Sequence, residues 1–423
     1  MRAATLALEQ NAPSAKLVAQ GGSGDRPRRR VAIFADPLLA PTLTFVPAQG
    51  EALDRFEACY AGPQLGRGDG LSLPSDRTVV ISKNGNFLSR MREARFRMTG
   101  YSPRFFRRIK EFGPELIHAH FGPGATECMR LARWLGVPII ANFHGGDALM
   151  HAEHLMRSRH YMHRQFWKRR EELSSETALF LACSRFVRAE MIRKGFPEKK
   201  IRVHYIGIDT RTFSADATVQ REPLVLYVGS LVERKGIRYL IEAMERVQCH
   251  VPDAEIIVIG DGPLRAEAER LSAARLRRYR FLGYRPPEIV RAWMNRARVF
   301  CVPSLMAADG NSEGFGLVFA EAQAMQLPVA SFASGGIPEA VADGMSGLLC
   351  RPGDTEQLSR NLATLLTNDE LWKRMSRTAR AHVRENFDLK TCTGKLEEIY
   401  DEVLESRMPG GKVFEERGEV LRA

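Results

Sequence analysis

Short apolar runs alternate with amphipathic helical patterns along this chain; the alternation breaks once and then begins again. The first series is VAIFAD (31–36), TVVIS (78–82), ELIHAHF (115–121), VPIIANF (137–143) and ALFLACS (178–184). Helical patterns such as ATECMRLARWLG (125–136) and RFVRAEMIRKG (185–195) fall between them, the latter with Gly195 placed to stop it. Unbroken apolar runs of this length suit strands buried on both faces, and helices between them favour a parallel, doubly wound sheet. The polar stretch SADATVQREP (214–223) reads as a linker. The pattern then restarts with PLVLYVG (223–229), IRYLIEAMERV (237–247), AEIIVIG (254–260) and PLRAEAERLSAARL (263–276), followed by YRFLG (279–283), RVFCVPS (298–304) and PVASF (328–332). Two such modules in tandem place a ligand cleft between them, at the carboxyl ends of the strands.

The expected organisation follows. With 423 residues the chain is too long for one ordinary core. Residues 1–27, rich in Gly, Ala and Ser, are expected to be disordered. Residues 28–215 and 216–390 form the two Rossmann-like domains. Residues 391–406 contain the amphipathic helix TCTGKLEEIYDEVL (391–404), which returns to the first domain, and 407–423 form a flexible tail. An apolar fraction of 44% and a charged fraction of 26% are those of a soluble globular protein. No apolar run is long enough to cross a membrane, and the first thirty residues do not read as a signal peptide. The seven cysteines are scattered without a CxxC pair, which predicts free thiols in a reducing cytosol rather than disulfides or zinc.

The formal charge of +12 is clustered. Arg90, Arg92, Arg95, Arg97, Arg104, Arg107, Arg108 and Lys110 crowd one region, and Arg157, Arg159, Arg164, Lys168, Arg169 and Arg170 another. Phe96, Phe105, Phe106, Tyr161, Phe166 and Trp167 are interleaved among them. Such a pattern fits an anionic membrane surface, or a solvated face over core aromatics. No fold signature of a nucleic-acid binder accompanies it.

The chemistry concentrates in NSEGFGLVFAEAQAM (311–325). Glu313 precedes the turn Gly314-Phe315-Gly316, Leu317 opens a helix, and Glu321 lies within it. The unpaired amides of a helix start bind anions, and flanking carboxylates accept hydroxyls. A phosphate attached to a hydroxylated group, as in a nucleotide sugar, satisfies both. Two acids eight positions apart are also what a solvated loop carries, so the surroundings decide. VGSLVERKG (228–236) ends a strand and brings Gly229, Ser230, Arg234 and Lys235. Lys235 can reach a diphosphate as a flexible point charge. GDGPLR (260–265) and SGGIPEAV (334–341) are further strand-to-helix glycine turns, and NFHGGD (142–147) places His144, two glycines and Asp147 after a strand.

On VGSLVERKG, GDGPLR, FLGYRPPEIV, VPSLMAADGNSEGFGLVFAEAQAM and SGGIPEAV, the chain resembles the family 4 glycosyltransferases of the retaining GT-B class, from about residue 115 to 400. FHGGD, CSRFVRAEMIRKG and AADGNSEGFGLVFAEAQAM are similar to the subgroup that builds bacterial exopolysaccharides such as colanic acid. The resemblance implies an α/β fold with two Rossmann-like domains facing a central cleft. It implies metal-independent transfer of a sugar from a nucleoside-diphosphate sugar, with no cofactor, to a glycan acceptor, in particular a lipid-linked polysaccharide intermediate.

It also implies that Glu313 faces the donor sugar and Glu321 holds the ribose. The amides of Phe315 and Gly316 meet the diphosphate, with Lys235 as its cation. Gly260, Asp261, Gly262 and Pro263, with Gly283, Tyr284 and Arg285, line the nucleobase pocket. Gly229, Ser230, Arg234, Gly314 and Leu317 complete the donor side. His144 lies near the transferred sugar, with His120, Gly145 and Asp147 on the acceptor side, His120 either lining the cleft or serving the structure, and Asp147 either orienting its loop or meeting the acceptor. The implied mechanism is front-face attack with the donor phosphate as base.

Two positions depart from the family. Ser230 stands where many members carry a second basic residue, and Arg234 need not point inward to replace it. Leu43 stands where an acid is common. The predicted location is cytoplasmic, peripheral on the inner face of the plasma membrane through the basic N-terminal half, with no nucleic-acid partner. The same donor motifs would serve a soluble acceptor, and Ser230 alone supports a non-catalytic scaffold.

Overall fold

The structure, a computed structural model, describes residues 28–39, 43–66, 72–82 and 86–407. The expectations for residues 1–27 and for the tail beyond 407 lie outside these.

Two parallel sheets form the frame. The first comprises β1 (Arg29–Phe34), β2 (Phe56–Gln64), β3 (Thr78–Ser82), β4 (Leu116–His120), β5 (Ile139–Phe143), β6 (Thr177–Ala182) and β7 (Ile201–Val203). The second comprises β8 (Leu224–Val228), β9 (Glu255–Ile259), β10 (Tyr279–Gly283), β11 (Val299–Phe300), β12 (Val329–Phe332) and β13 (Gly347–Cys350). Their orders are β3-β2-β1-β4-β5-β6-β7 and β10-β9-β8-β11-β12-β13. Each is doubly wound, and the direction of winding reverses beside its first strand, between β1 and β4 and between β8 and β11. The crevice at such a reversal is where open α/β sheets bind ligands.

Helices cover the first sheet: α1 (Phe45–Glu51), α2 (Phe87–Thr99), α3 (Pro103–Phe112), α4 (Gly122–Leu135), α5 (Gly146–Leu149), α6 (Ala152–Arg157), α7 (Tyr161–Lys168), α8 (Arg170–Glu176) and α9 (Arg185–Arg193). Around the second lie α10 (Ile237–His250), α11 (Arg265–Arg275), α12 (Pro287–Arg296), α13 (Leu317–Ala324), α14 (Ile337–Ala340), α15 (Thr355–Thr367), α16 (Asp369–Asn386) and α17 (Leu389–Glu405). Local chemistry sets their ends. The Ser184 hydroxyl caps α9 by accepting from the Val187 amide at 3.0 Å. Beyond its last turn Gly195 takes φ +86°, and the Gly195 and Phe196 amides return to Ile192 and Met191.

The strands missing from the sequence reading are β2, β7 and β13. β2 is FEACYAGPQ, nearly all buried, yet it ends in Gly62-Pro63 and shows no alternation. Tertiary pairing with β1 and β3 overrides those weak local signals. RVFCVPS yields a strand of two residues only, Val299–Phe300.

The chain crosses between the sheets twice. After α16 it passes beside residue 208, where Ile208 N donates to Phe387 O at 2.9 Å and Leu389 N to Ile208 O at 2.8 Å. The helix α17 then packs against the first sheet. Leu396, Tyr400 and Val403 share a buried cluster with Val31, Ile33, Phe56, Ala58 and Leu116. Glu397 accepts the Arg55 and Phe56 amides at 2.6 and 3.1 Å, and the Tyr400 hydroxyl lies 2.6 Å from His118 Nδ1. No helix among the described residues is long and apolar enough to cross a membrane, and all seven cysteines are free.

Candidate active site

The carboxyl ends of β8, β9 and β10 end in glycine turns tied edge to edge. Gly229 N donates to Ile259 O at 3.0 Å, Gly260 N to Gly283 O at 2.9 Å, and Leu231 N to Asp261 O at 2.9 Å. A Cβ on Gly260 would stand 2.0 Å from Gly229 O, so the two turns approach only because that side chain is absent. Asp261 spans this wall by accepting from the Gly262 amide (2.7 Å) and Arg265 Nη1 (3.0 Å). Tyr284 is exposed beside it, with Arg285 partly so.

The next element carries charge. After β8 the chain makes one 3-10 turn, Glu233–Lys235, and enters α10. Lys235 is buried and donates to Glu313 Oε2. Arg234 Nη1 lies 3.6 Å from the same oxygen, and the Ser304 hydroxyl 3.3 Å. Arg234 does point inward. Two cations share one carboxylate, leaving a net positive site. Burial alone would raise the Glu313 carboxyl; Lys235, Arg234 and the two hydrogen bonds outweigh it and hold it below the ordinary value. No hydrogen bond reaches Glu313 Oε1 among the described residues. Ser230 is exposed at the rim, its carbonyl accepting from the Tyr227 hydroxyl at 3.0 Å.

Gly316 takes φ +84° and caps α13, and among the described residues no hydrogen bond occupies the amides of Phe315, Gly316 or Leu317. Open amides beside a net positive pair are a ready anion site. Glu321, one turn into α13, is half-buried, and its carboxyl is pushed up to about 7 by burial, with only Arg291 opposing.

From the other half, the loop after β5 meets this one face to face. A Cβ on Gly314 would stand 2.3 Å from His144 O, and one on Gly145 would lie 3.4 Å from Gly314 Cα. The Ser184 hydroxyl donates to Gly314 O at 2.6 Å. Glu339 on α14 accepts the Arg185 and Phe186 amides (2.7 and 2.8 Å) at the start of α9, and the Tyr205 hydroxyl at 2.8 Å. Sequence reasoning missed Ser184, Ser304 and Glu339; Ser304 shares a motif with its partner Glu313, whereas the partners of Ser184 and Glu339 lie about 130 and 150 residues away, beyond what spacing reveals.

His144 sits on β5's carboxyl end between Phe45, Phe121 and His120, with ring centroids 4.9, 4.6 and 5.1 Å away. Its Nε2 is 2.9 Å from His120 Nδ1, and its Nδ1 is buried without a partner. His120 does not line the cleft: it is buried behind His144, and His118 and His204 are buried as well. Burial keeps all four neutral, with His144 down to about 3 and His204 to about 4. Asp147 is buried too, and its carboxylate accepts the Gly122, His144, Gly145 and Ala148 amides at 3.0–3.2 Å. Of its two expected roles, the geometry is that of a group orienting the loop. Among the described residues no three His, Cys, Asp or Glu side chains group as a metal site requires.

The family model "Glycosyl transferases group 1" matches residues 209–382, and "Glycosyltransferase Family 4" matches residues 65–212. The amylovoran biosynthesis glycosyltransferase AmsK of Erwinia amylovora is 30% identical over 298 residues, 69% of this chain and 71% of that protein. WcaL of Escherichia coli, named for colanic acid biosynthesis, is 30% identical over 67% of this chain and 70% of its own length. Among solved structures, Anabaena HepE in complex with UDP and glucose superposes with a TM-score of 0.68 at 18% identity, covering 89% of this chain and 100% of that one. Sucrose-phosphate synthase from Thermosynechococcus elongatus gives 0.69 at 21%, covering 89% and 99%. These two carry the fold: two Rossmann-like domains, as the motifs imply.

Proposed function

The chain belongs to the group 1 glycosyltransferases of GT-B type, related to exopolysaccharide-synthesis enzymes, and from that premise we propose a retaining, metal-independent hexosyltransferase. It moves a sugar from a nucleoside-diphosphate sugar to a lipid-linked glycan. The observation carrying this reading is the net positive Lys235–Arg234–Glu313 cluster beside the open amides of α13, closed over by the His144 loop. Lys235, Arg234 and the Phe315, Gly316 and Leu317 amides take the charge of the departing diphosphate, a fixed electrostatic arrangement already in place before reaction. Glu313 Oε1 accepts a donor-sugar hydroxyl, and Glu321 the ribose. His144 Nδ1, buried and unpartnered, is completed by a substrate hydroxyl.

The bond from the anomeric carbon to the phosphate oxygen breaks. The acceptor oxygen attaches from the same face and gives its proton to the departing phosphate. Closure of the two loops excludes water that would otherwise hydrolyse the donor. No cofactor enters.

A thermal-shift panel of UDP, GDP, ADP and dTDP with and without magnesium tests the donor half, since a ligand that binds the native state raises its stability. UDP comes first because HepE is seen with it. One nucleotide standing clear without magnesium is the expected result. A flat panel would sink the donor reading. Proton NMR of the product then reads the anomeric configuration, and inversion would sink retention.

A further inference from the structure

Helices α2 and α3 flank the β3 edge of the first sheet and turn an unusual face outward. On α2 the inner side carries Glu93, Phe96 and Arg97, with Arg97 bound to Asp36 at 2.9 Å through each of two nitrogens. On its outer side Phe87, Met91 and Met98 recur at helical spacing and are 75%, 56% and 63% exposed, with Leu88 beside them at 63%. These are the four most solvent-exposed large apolar side chains described in this half of the protein. Scattered apolar residues on a surface need no explanation, but an aligned row on one helix does.

The row is framed by charge of one sign. Arg90, Arg92 and Arg95 on α2 and Arg104, Arg107, Arg108 and Lys110 on α3 are exposed. Glu111 is the one exposed carboxylate on the two helices. None of the seven cations has an ion-pair partner among the described residues, although the chain's other arginines are widely paired. α3 buries Phe105, Phe106 and Ile109 on its opposite side; Arg108 also lines a small pocket with Cys59 and Asp76, and Lys110 Nζ lies 5.3 Å from the Trp134 ring.

We propose that the α2–α3 face docks on an anionic lipid surface, with Phe87, Leu88, Met91 and Met98 inserted at the headgroup boundary and the seven cations among the lipid phosphates. Long aliphatic and aromatic side chains lying beside unpaired arginines are what an interfacial helix requires. A nucleic acid or an acidic protein would satisfy the cations and leave the apolar row in water. Docking would set the acceptor half against the surface that holds a lipid-linked glycan, deepening the reading above. It rests on that reading for its purpose, but for its evidence on this face alone.

The test uses the full-length chain, without donor or acceptor, so its failure leaves the transfer reaction standing. Co-sedimentation with phosphatidylglycerol-containing vesicles should pull the protein down, less so as salt rises, and vesicles of phosphatidylcholine alone should not. Arg92→Gln with Arg95→Gln should lower the partition coefficient roughly 25-fold, at about five-fold per charge removed. Phe87→Ser with Met91→Ser should lower it by roughly ten-fold or more. Both variants should keep the wild-type melting temperature, which separates lost docking from lost folding. Absence of binding to anionic vesicles overturns the proposal. So does binding that survives both pairs, or that the arginine pair alone abolishes while heparin binds as tightly as vesicles. A wild-type dimer that the serine pair splits, with no vesicle binding, assigns the face to a second copy and also overturns it.

Discussion

The two halves of this protein share one topology and build their sides of the cleft from different chemistry. The C-terminal half presents glycine turns, open amides and a buried ion pair with a spare cation. The N-terminal half presents a packed column of neutral histidines behind His144 and a carboxylate, Asp147, held by four backbone amides. One side is organised to receive charge. The other is organised to hold a loop still against it. The difference teaches that a repeated fold fixes where a ligand goes, while the groups at the strand ends decide what each half contributes.

The contrast can be broken first at its charged side. Lys235→Ala should lower kcat by about 10²–10³ and also weaken the fold, because Glu313 is left with Arg234 as its remaining cation at 3.6 Å, as read by initial rates and equilibrium denaturation side by side. An unchanged kcat would remove the lysine from the chemistry. Asp147→Ala should act on stability first. It leaves the amides of Gly122, His144 and Gly145 without their acceptor, while the Ala148 amide keeps Gly145 O at 2.8 Å, at a cost of about 2–4 kcal/mol. The nucleotide-induced shift of the remaining folded protein should persist.

Acid should separate the halves. His118, His120, His144 and His204 have depressed values in the folded state. The unfolded chain therefore binds protons first, near the ordinary histidine value of about 6.5. Stability held above that pH is lost as pH falls towards the folded values, by up to about 1.4 kcal/mol per pH unit for each histidine. The N-terminal half should loosen first. Fluorescence of Trp134 and Trp167 in one half and Trp293 and Trp372 in the other reads this directly, in single-tryptophan variants. Simultaneous transitions would mean the halves unfold as one.

The smallest effect concerns Glu321. Its folded value is raised to about 7, so the protein loses stability as pH rises from the unfolded value near 4.5 through 7. Glu321→Gln should raise Tm at pH 8 and weaken nucleotide binding there, whereas at pH 5 the two proteins should melt alike.

Legibility followed the same divide. In the C-terminal half, glycine turns announce themselves in sequence because only glycine permits the φ of +136° at Gly260 or +84° at Gly316. Lys235 and Glu313 were nameable from their motifs, but their pairing was not, since 78 residues separate them. Nor was the inward turn of Arg234, which depends on where one 3-10 turn ends. In the N-terminal half, the buried positions of His120 and His204 had no local signature. A histidine in an apolar run reads the same whether it faces the cleft or hides behind another. β2 escaped because Gly62 and Pro63 argue locally against a strand that only its neighbours impose. The basic region was visible as charge, yet its division into Arg97, bound to Asp36, and seven exposed cations without an ion pair among the described residues required the helix.

The return of α17 has a consequence for how the protein is made. Leu396, Tyr400 and Val403 close the face of β1, β2 and β4, and they leave the ribosome after the entire second sheet. At about 5–20 residues per second, the interval from residue 208 to residue 400 lasts roughly 10–40 s. The half that is synthesised first waits for its last helix, and during that interval it carries an open greasy flank that α17 later covers.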